Sequence, residues 1–246
     1  MLIIDIGNTN TKLLYCVDSK NYEVTTKSML LHHNLNNFST METYSVILVS
    51  SVLNKKHTYE IITQVNRLNK KVYLLNSQKI FSLVFNQSIA NKLKNIGTDR
   101  ALKILYLISL PNTSSISIGC GTAFTMEVVK NQQFVDSYIL PGFNTQQDSL
   151  LQTAEQINNV RLHDSNSEFY QTETSIYKGI IFSYISLIKY VSDIWQAEIL
   201  VLSGGDAKLI DSHIRSFTNK VLLIEYHELK IMQHFSNQLI NEKPIR

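Results

Sequence analysis

The chain has 246 residues, 44% hydrophobic and 17% charged, enough to bury the core of one large domain or of two lobes of roughly 110 to 130 residues. Its formal net charge of +3 is scattered, with short basic pairs only at Lys55-Lys56 and Lys70-Lys71, which argues against a dedicated nucleic-acid partner. The two cysteines, Cys16 and Cys120, form no CxxC or zinc-spaced cluster, no apolar run approaches the ~20 residues of a membrane span, and no basic leader precedes Asp5, so a reduced, cytoplasmic chain without a membrane partner is expected.

Taken in order, MLIIDI reads as a strand, GNTN as a turn, and TKLLYCV as a half-buried strand with Leu13, Tyr15 and Val17 on one face, together a β-hairpin. YEVTTKSM adds a third strand, and SVILVSSV is a continuous apolar strand suited to a sheet covered on both sides. HTYEIITQVNRLNKK has helical spacing through Ile61, Ile62, Val65 and Leu68, and VYLLN returns as a strand. A poorly patterned stretch follows. GTDRALKILYLISL is then helical up to Pro111.

The same order restarts with SISIGC, TAFTMEVV and FVDSYIL as strands and a helix from about 143 to 157. A polar segment, NNVRLHDSNSEFYQT, leads into the amphipathic helix TETSIYKGIIFSYISLIKYVSDIW. EILVLSGGDAKLI reads strand, glycine turn, helix, and VLLIEY with HELKIMQHFSNQLI gives a final strand and helix. The repetition predicts a duplicated α/β unit, residues 1–111 and 112–246, each a mixed sheet flanked by helices.

The duplication brings two glycine turns into register, DIGNTN at 5–10 and GCGTAF at 119–124. Such a turn presents backbone N–H groups and short hydroxyl or amide donors to a phosphate. Asp5 can hold a hydrated Mg²⁺ indirectly, and Lys12 adds a point charge. Taken singly, DxGN also serves as a tight hairpin turn with Asp and Asn chosen for geometry.

Two phosphate-binding hairpins on duplicated lobes resemble the actin-like, sugar-kinase and heat-shock ATPase superfamily, whose lobes have a ribonuclease-H-like fold. There SGGDAKLI is similar to the turn at the adenosine end of ATP. Within that superfamily, Asp5-Ile6-Gly7-Asn8-Thr9-Asn10-Thr11-Lys12 matches the DxGNTxxK signature of type III pantothenate kinases, and Gly97-Thr98-Asp99-Arg100 matches their GxDR. Gly121-Thr122-Ala123 is similar to the second phosphate turn, Leu140-Pro141-Gly142 to the end of GGxIxPG, and Ser203-Gly204-Gly205-Asp206 to TGGD.

The resemblance implies transfer of the ATP γ-phosphoryl group to pantothenate, at the entry to coenzyme A synthesis, by a homodimer. Asp99 takes the place of the proton acceptor. Arg100 takes that of the substrate arginine, whose planar fork suits a carboxylate. Thr172 stands at a substrate-contacting threonine, preceded by Gln171 where Asn or Ser is usual, and Phe85 stands near a substrate tyrosine. Each has a plainer reading: Thr98 and Asp99 suit the first turn of a helix, Thr172 suits an N-cap, and Phe85 suits a core. His32, His33 and His57 have no motif around them, and Trp195 reads as packing.

Two departures stand out. The family's second turn reads DxGTA, and its aspartate helps to hold K⁺ or NH₄⁺. Here that position is Gly119, which weakens or removes the site unless other oxygens, such as those of Glu127 on the next strand, replace it. The GG before IxPG is replaced by Asp136-Ser137. A kinase with reduced cation need, a non-catalytic nucleotide-binding homologue acting in gene expression, and another phosphotransferase of the superfamily are the readings left open. Retention of Asp5, Lys12, Asp99 and Arg100 favours the first.

Overall fold

The computed structural model of the protein describes residues 1–16, 22–28, 44–66, 70–111, 114–154, 172–218 and 220–240. His32, His33, Gln171 and most of the polar segment before the long helix lie outside these residues.

Residues Met1–Tyr106 with Tyr226–Arg246 form one compact unit, and Leu107–Glu225 the other. The first is built on β1 (Leu2–Ile6), β2 (Asn10–Cys16), β3 (Tyr22–Ser28), β4 (Val46–Ser51) and β5 (Lys71–Leu74). Their order in the sheet is β3-β2-β1-β4-β5, with β1–β2 and β2–β3 antiparallel and β1–β4 and β4–β5 parallel. β1 is buried at every residue, because both faces of a central strand are covered. Helices α1 (Lys55–Asn66), α2 (Ser77–Ser82), α3 (Gln87–Lys92) and α4 (Thr98–Ser109) follow. The poorly patterned stretch holds α2 and α3, each of six residues and each capped by an asparagine side chain: Asn76 accepts from Lys79 N–H and Asn86 from Ile89 N–H.

The second unit repeats this plan with β6 (Ser114–Cys120), β7 (Ala123–Lys130), β8 (Gln133–Pro141), β9 (Ile199–Ser203) and β10 (Val221–Leu223), ordered β10-β9-β6-β7-β8. Here β6–β7 and β7–β8 are antiparallel, and β6–β9 and β9–β10 parallel, so the two sheets share one topology. Helices α5 (Phe143–Thr153), α6 (Thr172–Trp195) and α7 (Ala207–Arg215) complete it. Ile176, Ile180, Tyr184, Ile188 and Val191 of α6 pack with Ile116, Ile118, Phe124 and Met126 of the sheet in one core.

The units meet at 106/107, within α4, where the sequence suggests 111/112, and the last segment, Tyr226–Arg246, groups with the first unit. α8 (His227–His234) packs on β1 and β2 of the first unit, burying His227, Leu229, Ile231 and Met232, and α9 (Ser236–Leu239) follows it. An apolar helix face does not state which of two similar sheets it covers.

Candidate active site

In the first unit, strand register places Asp5 of β1 directly opposite Lys12 of β2 and Ser50 of β4. The turn between β1 and β2 is closed by Gly7 N–H donating to the Asn10 carbonyl at 3.0 Å, leaving Asn8, Thr9 and Asn10 exposed. Ile6 contributes no side chain to this surface. It is fully buried in the core, and its carbonyl accepts from Val52 N–H.

Lys12 Nζ lies 3.8 Å from Asp5 Oδ2 and 3.8 Å from Glu228 Oε2, and Lys103 Nζ lies 3.3 Å from Glu228 Oε1. Asp5, Lys103 and Glu228 are all buried. Burial, then the Glu228 and Asp99 carboxylates, raise the Asp5 carboxyl well above the usual range against the pull of Lys12. Burial would raise Glu228 too, but Lys103 and Lys12 hold it low, so it stays ionised. Beside it, burial pushes the His227 imidazole down to about 4; it is neutral, edge-on to Tyr106 at 4.8 Å.

α4 opens on the predicted Gly97-Thr98-Asp99-Arg100. Thr98 is buried and its hydroxyl donates to the Ser51 carbonyl at 3.3 Å, tying the helix start to the end of β4. Asp99 folds back over Gly97: a Cβ at 97 would stand 2.7 Å from Asp99 Oδ1. Asp99 and Arg100 are both half-buried.

In the second unit, Gly119 occupies in β6 the place Asp5 holds in β1. Its partners are Thr125 on β7 and Ser203 on β9, where Asp5 has Lys12 and Ser50. The turn is closed by Gly121 N–H donating to the Ala123 carbonyl at 3.2 Å, with Gly121, Thr122 and Ala123 exposed. Two other segments are fastened to it. Gly142 N–H donates to the Thr122 carbonyl at 2.9 Å and Thr145 Oγ1 to the same oxygen at 2.8 Å, while Asp206 N–H reaches the Cys120 carbonyl at 3.2 Å. The approach is so close that a Cβ at 142 would fall 1.8 Å from the Gly121 oxygen.

A small cavity lined by Gly121, Gly142, Phe143, Tyr184 and Asp206 lies against these loops. Phe124 and Tyr184 stack below the turn at 4.2 Å, and the Tyr184 hydroxyl donates to the Pro141 carbonyl at 2.8 Å. Where the family has GG, Asp136 accepts from Tyr138 Oη at 2.6 Å and from Ser137 N–H at 2.8 Å.

The face of this sheet that carries Gly119 is polar and buried. Ser115, Ser117, Thr125 and Ser203 have hydroxyls without a hydrogen-bond partner among the described residues, and the fully buried Glu127 stands opposite Ser117. Such oxygens can ligate a weakly hydrated monovalent cation, but apart from Glu127, two residues along β7 from Thr125, they are neutral, so the site is weaker than one with an aspartate at 119.

Thr11 is buried in β2, Phe85 packs on Phe81 with ring centroids 6.0 Å apart, and Thr172 is the exposed first residue of α6. Glu228, Lys103 and His227 were not anticipated. Lys103 has a signal in the sequence, a charge inside the apolar run ALKILYL, whereas Glu228 and His227 sit in the mixed run HELKIM beside Lys230 and have none.

A solved structure from Campylobacter jejuni, described as a conserved putative Baf family transcriptional activator, superposes with a TM-score of 0.61 at 18% identity, covering 96% of this chain and 100% of that one. The (R)-2-hydroxyglutaryl-CoA dehydratase component A of Acidaminococcus fermentans gives 0.52 at 11% identity over 94% and 95%. With the two repeated sheets, these likenesses define an actin-like ATPase fold of duplicated ribonuclease-H-like lobes. The family model for type III pantothenate kinase matches residues 1–193. The type III pantothenate kinases of Thermosipho africanus (26% identity; 87% of this chain, 90% of the relative) and Acinetobacter baylyi (27%; 95% and 96%) are similar along nearly their whole lengths. The chain belongs to the type III pantothenate kinase family.

Proposed function

We propose that the chain transfers the γ-phosphoryl group of ATP to the primary hydroxyl of pantothenate, giving 4′-phosphopantothenate and ADP. The observation that carries this reading, beyond membership of the family, is one charged cluster in the first unit. It joins the Asp5–Lys12 pair at the first turn to the start of α4, where Asp99 and Arg100 stand. In this reading the carboxylate of pantothenate lies on the Arg100 fork and its hydroxyl beside Asp99. The hydroxyl oxygen forms the new bond to phosphorus, its proton passes to Asp99, and the bond to the ADP oxygen breaks. Lys12 and the N–H groups of the first glycine turn hold phosphate oxygens, and in the second unit the glycine turn presents N–H groups of the same phosphate-binding kind.

Asp5 is suited to an Mg²⁺ that keeps its waters and phosphate ligands, since a carboxylate with Glu228 and Asp99 near it lacks a full counter-charge. Mg²⁺, when bound, supplies charge neutralisation of the triphosphate. No group of three or more His, Cys, Asp or Glu side chains that could hold a metal ion occurs among the described residues. The test is ADP release by purified protein with ATP and Mg²⁺. Release that depends on pantothenate is expected; release that ignores it, or none from folded protein in any monovalent salt, would remove the reading.

With Gly119 in place of an anionic ligand, any monovalent cation at this turn rests on Thr125, Ser203 and Glu127 oxygens. Turnover is expected to differ by no more than a few-fold between potassium and sodium buffers, and Gly119→Asp to restore a potassium preference. A strict potassium requirement in the unaltered protein would contradict this.

Phe182, Tyr190 and Ile194, at four- and eight-residue intervals on α6, are 52%, 63% and 51% exposed, an apolar stripe that supports a homodimer. A mass near 28.2 kDa by light scattering at micromolar concentration would count against it. No helix among the described residues is long and apolar enough to cross a membrane, and a cytoplasmic location fits the proposed reaction.

A further inference from the structure

We infer that Glu228 is a positioning residue for phosphoryl transfer: its carboxylate holds Lys12 off Asp5 and ties Lys12 to the helix that carries Asp99. The inference rests on the kinase reading of this site. Three contacts carry it. Lys12 Nζ stands equally far, 3.8 Å, from Asp5 Oδ2 and Glu228 Oε2, so neither carboxylate owns it. The other Glu228 oxygen lies 3.3 Å from Lys103 Nζ, one turn along α4 from Asp99. Glu228 itself is fixed, 8% exposed at the start of α8, which packs on β1 and β2.

A carboxylate placed this way divides the lysine's charge. Without it, the nearest anion to Lys12 is Asp5, and a closed Lys12–Asp5 pair would withdraw both groups: the ammonium from phosphate oxygens and the carboxylate from a metal ion. Glu228 also gives Lys12 and α4 a common anchor, so that phosphate lysine and proton acceptor keep a fixed spacing. Alignment of that kind is where phosphoryl transfer gains most of its rate. The segment bearing Glu228 comes from the far end of the sequence, after the whole second unit, and so closes the first unit around its own charged centre.

The test is a double-mutant cycle between Glu228→Gln and Lys12→Met, with folding checked by thermal denaturation. Two quantities are read on the same samples: Mg²⁺-ATP affinity by calorimetry, and steady-state constants with pantothenate. Glu228→Gln alone should weaken ATP binding and lower kcat by about tenfold each, with the KM for pantothenate within about twofold. Added to Lys12→Met, it should change either quantity by less than about twofold, because the group it acts through is gone.

Full additivity of the two changes would overturn the inference, as would a loss of active fraction with unaltered ATP affinity, since both mark a merely structural role. Glu228→Asp, which keeps the charge but is one methylene too short to span Lys12 and Lys103, carries the same expectation should the glutamine variant not fold. Failure of both to fold would also overturn it. Wild-type turnover with pantothenate reports separately on the kinase reading, whereas calorimetric ATP affinity reports on Glu228 whatever the acceptor.

Discussion

Asp99→Asn is expected to lower turnover by ~10²- to 10⁴-fold, the usual contribution of a positioned proton acceptor, while ATP affinity and melting temperature stay near wild type. Asparagine keeps the size of the side chain and its place in the first turn of α4, so Thr98 remains bonded to Ser51 and the helix start does not move. What is lost is basicity, together with a negative charge that acts on Asp5. Removing that charge cannot harm the binding of an anionic nucleotide. Gly97→Ala should reach a similar end by another route. Its methyl would meet Asp99 Oδ1 at 2.7 Å, and because that atom ends a flexible side chain, the carboxylate turns away and the backbone stays. Turnover should fall by about tenfold or more with little change in stability. Equal losses of turnover and ATP affinity in Asp99→Asn would argue instead that the residue holds nucleotide.

Gly142→Ala should be among the most damaging single-methyl changes in the second unit. Its Cβ would stand 1.8 Å from the Gly121 carbonyl oxygen and 2.8 Å from that of Thr122, both backbone atoms of the turn. No rotamer relieves such a contact. Either the end of β8 lifts away, breaking the Gly142–Thr122 and Thr145–Thr122 hydrogen bonds, or the turn distorts. The cost is about 1–3 kcal/mol of strain, plus about 0.5–1.5 kcal/mol for each hydrogen bond given up. ATP affinity, read by calorimetry, should fall by at least about tenfold, since the same turn is proposed to hold phosphate. A protein of normal stability and normal ATP affinity would show that the turn and the Pro141-Gly142 segment are independent.

Much of this site is written locally. The strand-turn-strand at residues 2–16 and its echo at 114–130 are legible because apolar runs bounded by glycine turns leave few alternatives. The observed registers then put Gly119 at the place of Asp5, as the paired motifs suggest. Helices α2 and α3 escaped the reading because six-residue helices hold too few turns for an apolar period to show, and their asparagine caps read equally well as loop. The assignment of the last helix escaped for a different reason. Both sheets offer an apolar face, and the pairing of Glu228 with Lys103 and Lys12 that accompanies the packing of α8 on β1 and β2 is a long-range charge match no local pattern encodes. The buried hydroxyls around Gly119 were equally hidden, since serines in a strand read as surface until the sheet is covered.

Following the γ-phosphorus of ATP by ³¹P NMR in a mixture of protein, Mg²⁺ and pantothenate separates transfer to pantothenate from hydrolysis. A phosphomonoester resonance growing in step with ADP, absent without pantothenate and nearly abolished in Asp99→Asn, is the predicted result. Inorganic phosphate as the sole product, or the same phosphomonoester formed at an unchanged rate by Asp99→Asn, would contradict it.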